Sequence, residues 1–155
     1  MILLLIFNYF LRSIAKIINL FFLLKKHTSK TRIRYSETDQ MGVVYHGNYA
    51  QFFELGRTEW LRSIGFTYKK METNGIIIPV ISLKCNFIKS ALYDDILTIT
   101  TFLKKKPLVK IEFDYEITNQ NNELICKGNT VLAFLNKNTM KPTSCPNYLL
   151  KGLGY

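Results

Sequence analysis

The stretch Arg34-Tyr35-Ser36-Glu37-Thr38-Asp39-Gln40-Met41-Gly42-Val43-Val44-Tyr45-His46-Gly47-Asn48-Tyr49, continuing through Phe53, Glu54, Gly56 and Arg57 to Trp60, decides the fold. It sets a lone carboxylate, Asp39, in a short turn and follows it with a glycine, a histidine and the start of an amphipathic helix. Tyr49, Phe52, Phe53, Gly56, Trp60 and Ile64 recur at helical spacing, with Gln51, Arg57, Thr58, Glu59 and Arg62 on the other faces. Gly47-Asn48 reads as the N-terminal cap and Gly65 as the stop. Gly56 falls on the apolar stripe, where it costs ~1 kcal/mol of helix propensity. Its presence there predicts a helix packed closely on a sheet.

Outward from this passage the periodicity changes to two. Residues 30–36 alternate and predict a first strand. Four more strands are predicted beyond the helix. Residues 76–89 carry Ile81, Leu83, Cys85 and Phe87 on one face, and residues 95–103 are rich in Ile, Leu, Thr and Phe. Residues 108–118 alternate most cleanly, and 123–134 return after the Asn119–Asn122 turn as a hairpin partner. The order predicts an α+β fold, one long helix laid on an antiparallel sheet. One helix cannot cover both faces and both edges of such a sheet. Association through the sheet is therefore expected, most simply as a two-fold dimer.

Composition narrows the function classes. The chain has 155 residues, 48% of them hydrophobic, enough for one domain with a real core. Its formal charge of +10 suits nucleic acid, an anionic membrane surface, or an anionic group such as a nucleotide or coenzyme A. The lysines are scattered, with no RNP-like motif or long basic helix, so nucleic acid is not expected. Cys85, Cys126 and Cys145 are odd in number and lack CxxC spacing, which argues against a disulfide framework and a zinc site. A reducing, cytoplasmic compartment is the simplest expectation.

Residues 1–24, MILLLIFNYFLRSIAKIINLFFLL, form the one compositional break. Asn8, Arg12, Lys16 and Asn19 share one helical face, the pattern of a helix lying in a membrane interface. Other readings stay open: a helix docked on the protein or a partner, an extension from an upstream start codon, or a true span. Two mid-span charges weigh against the span. The expected division is an N-terminal amphipathic extension, 1–26, and a folded domain, 27–155, with Lys25-Lys26-His27 as a polar linker. Peripheral membrane contact would run through residues 1–24.

The chain has no GxSxG elbow, P-loop, GxGxxG or HExxH. His27 and His46 are too few for a histidine-based metal site, so no metal is expected. Asp39, Glu37, Tyr45, His46 and Glu54 remain for acid–base or nucleophilic work. Asp39 precedes a helix N-terminus, whose unpaired N–H groups favour negative charge and could hold the oxyanion of a thioester under attack. A carboxylate beside them could act as nucleophile or as general base to water. An aspartate in a T-D-x-x-G turn is more often only an Asx-turn. A lone histidine is more often structural, and Glu54 could simply be solvated.

The Tyr35–Tyr49 motif, with Phe53-Glu54-Leu55-Gly56-Arg57-Thr58-Glu59-Trp60-Leu61-Arg62, resembles the hotdog-fold acyl-CoA thioesterases. The match is to the 4-hydroxybenzoyl-CoA thioesterase type and its YbgC-like relatives, over roughly residues 29–140. The resemblance implies a five-stranded antiparallel sheet wrapped around one long central helix, as a homodimer or homotetramer with sites between protomers. It implies hydrolysis of an acyl-CoA to a free acid and CoA, with no cofactor beyond the CoA of the substrate. Asp39 matches the catalytic aspartate, and the N–H groups around Tyr45–Gly47 match the donors that polarise the carbonyl. His46 matches the histidine of the YbgC-like branch, and Glu54 a glutamate of the central helix. Gly47 and Asn48 stand at the substrate-binding helix start. Lys84, Lys89, Lys104, Lys105 and Lys106 are candidates for the CoA surface by charge alone. A hotdog hydratase or dehydratase, and a non-enzymatic membrane-associated acyl-binding protein, are the alternatives.

Overall fold

A computed structural model describes residues 25–155. The amphipathic segment expected over 1–24 lies outside the described residues, and no helix among the latter is long and apolar enough to cross a membrane. The elements in chain order are β1 (Lys26–Arg32), a 3-10 turn (Tyr35–Glu37), α1 (Asn48–Ser63), α2 (Tyr68–Thr73), β2 (Ile76–Ile77), β3 (Val80–Phe87), β4 (Ile96–Leu103), β5 (Lys110–Thr118), β6 (Leu124–Ala133), β7 (Leu135–Asn136) and α3 (Asn147–Gly152). Lys26 and His27 belong to β1 rather than to a linker, paired with Phe102 and Thr101. The first strand thus ends at Arg32, and Tyr35–Glu37 turns instead of extending.

Five strands form one antiparallel sheet in the order β1-β4-β5-β6-β3, and β2 and β7 make a separate two-stranded ribbon. The predicted strand over 76–89 is divided between the two sheets. Pro79, with no N–H to give a ladder, stands at the break, after Gly75 with φ of 78°.

Alternation dictates which face is core. Leu97, Ile99, Thr101 and Leu103 of β4 and Ile111, Phe113, Tyr115 and Ile117 of β5 are buried beneath α1. The helix docks through missing side chains. A Cβ at Gly56 would stand 2.5 Å from Thr101 Oγ1 and 2.8 Å from Ile99 Cγ2. At Gly128 of β6 it would stand 2.1 Å from Phe53 Cζ. The tip of the Phe53 ring therefore sits at Gly128, and the ring stacks on Tyr115 at 4.6 Å, while Trp60 meets Phe113 edge-on at 4.9 Å. Tyr115 donates or accepts a 2.7 Å hydrogen bond with Thr130 beneath this stack, and burial pushes its phenol up to about 12.

Arg57, expected on a solvated face, is 5% exposed. Its Nε donates to the Tyr68 hydroxyl at 3.1 Å, and its guanidinium lies 3.5 Å from Glu54. A helical arginine can bury its stem and bring a phenol to its head, which anchors α2 against α1.

The other face of the sheet is polar. Glu112 takes Lys104 at 3.0 Å and Lys105 at 3.1 Å, Glu116 takes Lys127 at 3.0 Å, and Asn129 donates to Asp114 at 2.7 Å. This face needs no covering layer, which revises the expectation that both faces want cover. The uncovered apolar surface lies instead on the edge strand. α1 rests on β1, β4 and β5, and Ile81, Leu83 and Phe87 of β3 remain 50%, 43% and 55% exposed.

Two predictions follow from these contacts. Gly56→Ala gains up to ~1 kcal/mol of helix propensity but overpacks the helix–sheet contact by ~1–3 kcal/mol. A lower urea midpoint is expected, and an unchanged one would contradict the close approach. Hydrogen bonding from Lys104, with support from Lys105 and Asn129, lowers the Glu112 carboxyl from its ordinary 4.5 to about 2. A lowered folded pKa stabilises above the unfolded value, and that stability is lost as pH falls from 4.5 towards about 2. The thermal midpoint of Glu112→Gln should thus lie below the parent's at pH 7 and converge with it near pH 2.

Candidate active site

The Asp39 turn is built from backbone bonds. Asp39 N donates to Val43 O and Gly42 N to Asp39 O, each at 2.9 Å, and Gly42 closes the turn at φ of 77°, the left-handed region glycine enters without strain. Met41 N donates to Asp39 Oδ1 at 2.9 Å. The Asx-turn is therefore real, yet it occupies one carboxylate oxygen. Oδ2 accepts no hydrogen bond among the described residues.

The chain then enters α1. Tyr45 N donates to Glu37 O at 2.9 Å, and the Asn48 side chain donates to the same carbonyl at 2.8 Å. Asn48 thus clamps the helix start to the 3-10 turn and is not among the walls of the cleft at Asp39. Asn48 N and Tyr49 N are taken by Tyr45 O and His46 O. The N–H groups of His46 and Gly47 meet no acceptor among the described residues. They are the helix-end donors, whereas the Tyr45 N–H that the sequence grouped with them is spent on Glu37. Gly47 is needed for the Tyr45 ring, since a Cβ there would stand 2.5 Å from Tyr45 Cε1. That ring also leans on His46, centroids 4.3 Å apart.

Asp39 and His46 share a cleft of about 240 Å³ with Met41, Val43, Tyr49, Phe87 and Lys89 among its walls. Tyr49 meets Phe87 edge-on at 5.0 Å, and burial, aided by Cys126 and Cys85, pushes its phenol up to about 12. Its hydroxyl therefore keeps its proton at physiological pH. The cleft thus joins a carboxylate with a free oxygen, the His46 side of the α1 start and a largely apolar wall.

Other expected residues lie elsewhere. Tyr45 packs over Gly47 and is not a wall of this cleft. Glu54, its side chain 64% exposed, lines a different cleft with Arg57, Tyr68 and Val80, so one protomer does not bring it to Asp39. Lys84 lies on the polar outer face beside Asn129, in a depression with Asp114 and Glu116. Only Lys89 of the candidate lysines reaches the Asp39 cleft, where it pairs with Glu123. Sequence reasoning missed Phe87 and Ile88 as cleft walls. The end of their strand, opposite Cys126 on β6, becomes a wall only through sheet order. Among the described residues no cluster of His, Cys, Asp and Glu could hold a metal ion.

Comparison with known proteins places this geometry in a family. A sequence model of the Thioesterase superfamily matches residues 41–126, beginning just after Asp39. The chain is 36% identical over 118 residues to the putative acyl-CoA thioesterase YneP of Bacillus subtilis, covering 75% of this chain and 86% of that protein. It is 32% identical to the acyl-CoA thioesterase YbgC of Haemophilus influenzae, covering 74% and 85%. A crystal structure of the DHNA-CoA thioesterase of Staphylococcus aureus superposes with a TM-score of 0.74 at 39% identity, covering 77% of this chain and 80% of that one. The helix laid on its five-stranded antiparallel sheet is a hotdog fold, and the chain belongs to the Thioesterase superfamily.

Proposed function

We propose that this protein hydrolyses an acyl-CoA thioester to a free carboxylic acid and CoA, with Asp39 as the catalytic carboxylate. The observation behind this reading is the division of labour at Asp39. One oxygen is held by Met41 N–H, and the other is free in a cleft that also holds His46 and opens at the start of α1. The relatives named as acyl-CoA thioesterases supply the substrate class. The thioester carbonyl oxygen would take the His46 and Gly47 N–H groups, which stabilise the charge that develops on it. Asp39 would then remove a proton from attacking water, or attack the carbonyl itself to give an anhydride that water opens. The CoA thiolate leaves and is protonated. His46 would orient the carbonyl or share the proton. Lys89 is the cation lining the cleft, where a CoA phosphate would compete with Glu123 for it, and no group beyond substrate and water is needed.

The same reading takes the protein as a homodimer. The exposed apolar face of β3 lies at a sheet edge whose backbone groups lack a second strand among the described residues, and a second copy of the same strand satisfies both needs.

Asp39→Asn keeps an oxygen for Met41 N–H, so the thermal midpoint should stay near the parent's. Release of CoA from a series of acyl-CoA esters should fall by about 10²–10⁴ in kcat. Turnover near the parent's would remove Asp39 from the mechanism. In sedimentation, the double variant Ile81→Lys and Leu83→Lys should shift the protein from dimer to monomer. A parent that sediments as a monomer would refute the β3 interface.

A further inference from the structure

Cys spacing argued against disulfides, yet the sheet brings two of the three cysteines together. On adjacent strands Cys85 lies opposite Gly128 and Phe87 opposite Cys126. Opposed residues share a face, so Cys85 and Cys126 occupy diagonal positions on the helix side, the same side as Gly128. Their Sγ atoms are 3.1 Å apart. Cys85 is partly exposed, whereas Cys126 is buried. Cys145 is buried at the start of α3, with its Sγ near Pro146 O, and takes no part.

We propose that Cys85 and Cys126 are a reversible modification site, a cross-strand dithiol that hydrogen peroxide closes to an intramolecular disulfide. The Cys85 thiolate attacks one peroxide oxygen, the O–O bond breaks, and Cys85 becomes a sulfenic acid as hydroxide leaves and is protonated to water. The Cys126 sulfur then attacks Cys85 Sγ. The S–S bond forms, the S–O bond breaks, and the departing hydroxide takes the Cys126 proton. Two thiols are oxidised and one peroxide is reduced to two waters. Burial raises both thiols, and Cys85, the one partly exposed in the single chain, is the one peroxide reaches first.

The site has a structural consequence at the cleft. Among the described residues β3 is the sheet edge, held by β6 alone. Cys85 stands two residues before Phe87, which lines the Asp39 cleft and meets Tyr49. A covalent tie there fastens the cleft wall to β6. The proposal is independent of the thioesterase reading, because its readout is the thiols themselves.

The full-length protein is treated with hydrogen peroxide in the folded state, freed of oxidant, denatured and titrated for thiols. The expected result is a fall from three titratable thiols to one, with a proteolytic fragment joining Cys85 to Cys126 and full recovery with dithiothreitol. Cys145→Ala should retain this two-thiol loss, and Cys85→Ala should abolish the crosslink. Three surviving thiols, over-oxidation of Cys85 without a crosslink, or a chain-to-chain Cys85 disulfide would each overturn the proposal.

Discussion

The close approach of one helix to a sheet is the constraint on which the rest depends. Side chains normally hold a helix well clear of the strands beneath it. Here Gly56 lets α1 settle onto Thr101 and Ile99, and Gly128 leaves room for the Phe53 ring, which Tyr115 covers from the side. Two absent methyl groups thus fix the height of the helix, and the aromatic stack fixes its position along the sheet. Because the helix cannot shift, its first turn cannot either. Asn48 carries that placement to Glu37, and the Asp39 turn follows. The candidate site is positioned by packing some distance from it.

Much of this was legible in the sequence. The 108–118 alternation gave β5 directly, because each outward residue is charged or polar and each inward one is large and apolar. Gly56 announced its close approach because no other pressure puts glycine on the apolar face of a helix. Gly42 sat where a tight turn needs positive φ. What escaped was decided by partners distant in sequence. Arg57 looks solvated on a helical projection, and only Tyr68, brought over by α2, explains its burial. The Cys85–Cys126 contact and the role of Phe87 as a cleft wall follow from β3 lying beside β6, which no local pattern encodes. The separation of Lys84 from Lys89 likewise follows from Lys84 lying in β3, on its outer face, and Lys89 in the bend after it.

The placement of Asp39 and Glu54 in different clefts sharpens the distinction between carboxylates. Asp39 is held by a turn with one oxygen bound and the other free. Glu54 is mostly solvated and lies beside Arg57, which it helps to neutralise. Similar side chains, a short distance apart in sequence, are thereby given a turn-bound and an ion-paired setting.

The sheet order also governs how the chain assembles. β1 is made before the helix and every other strand, yet Lys26 pairs with Phe102 and Arg32 with Ile96. β4, β5 and β6 follow one another as neighbours, so their hairpins close cheaply and early. During synthesis β1 and the apolar stripe of α1 must wait without their sheet until that meander emerges. Exposed hydrophobic segments in that interval are the ones that aggregate. The fold that buries the helix so tightly at the end leaves it bare for much of the chain's manufacture.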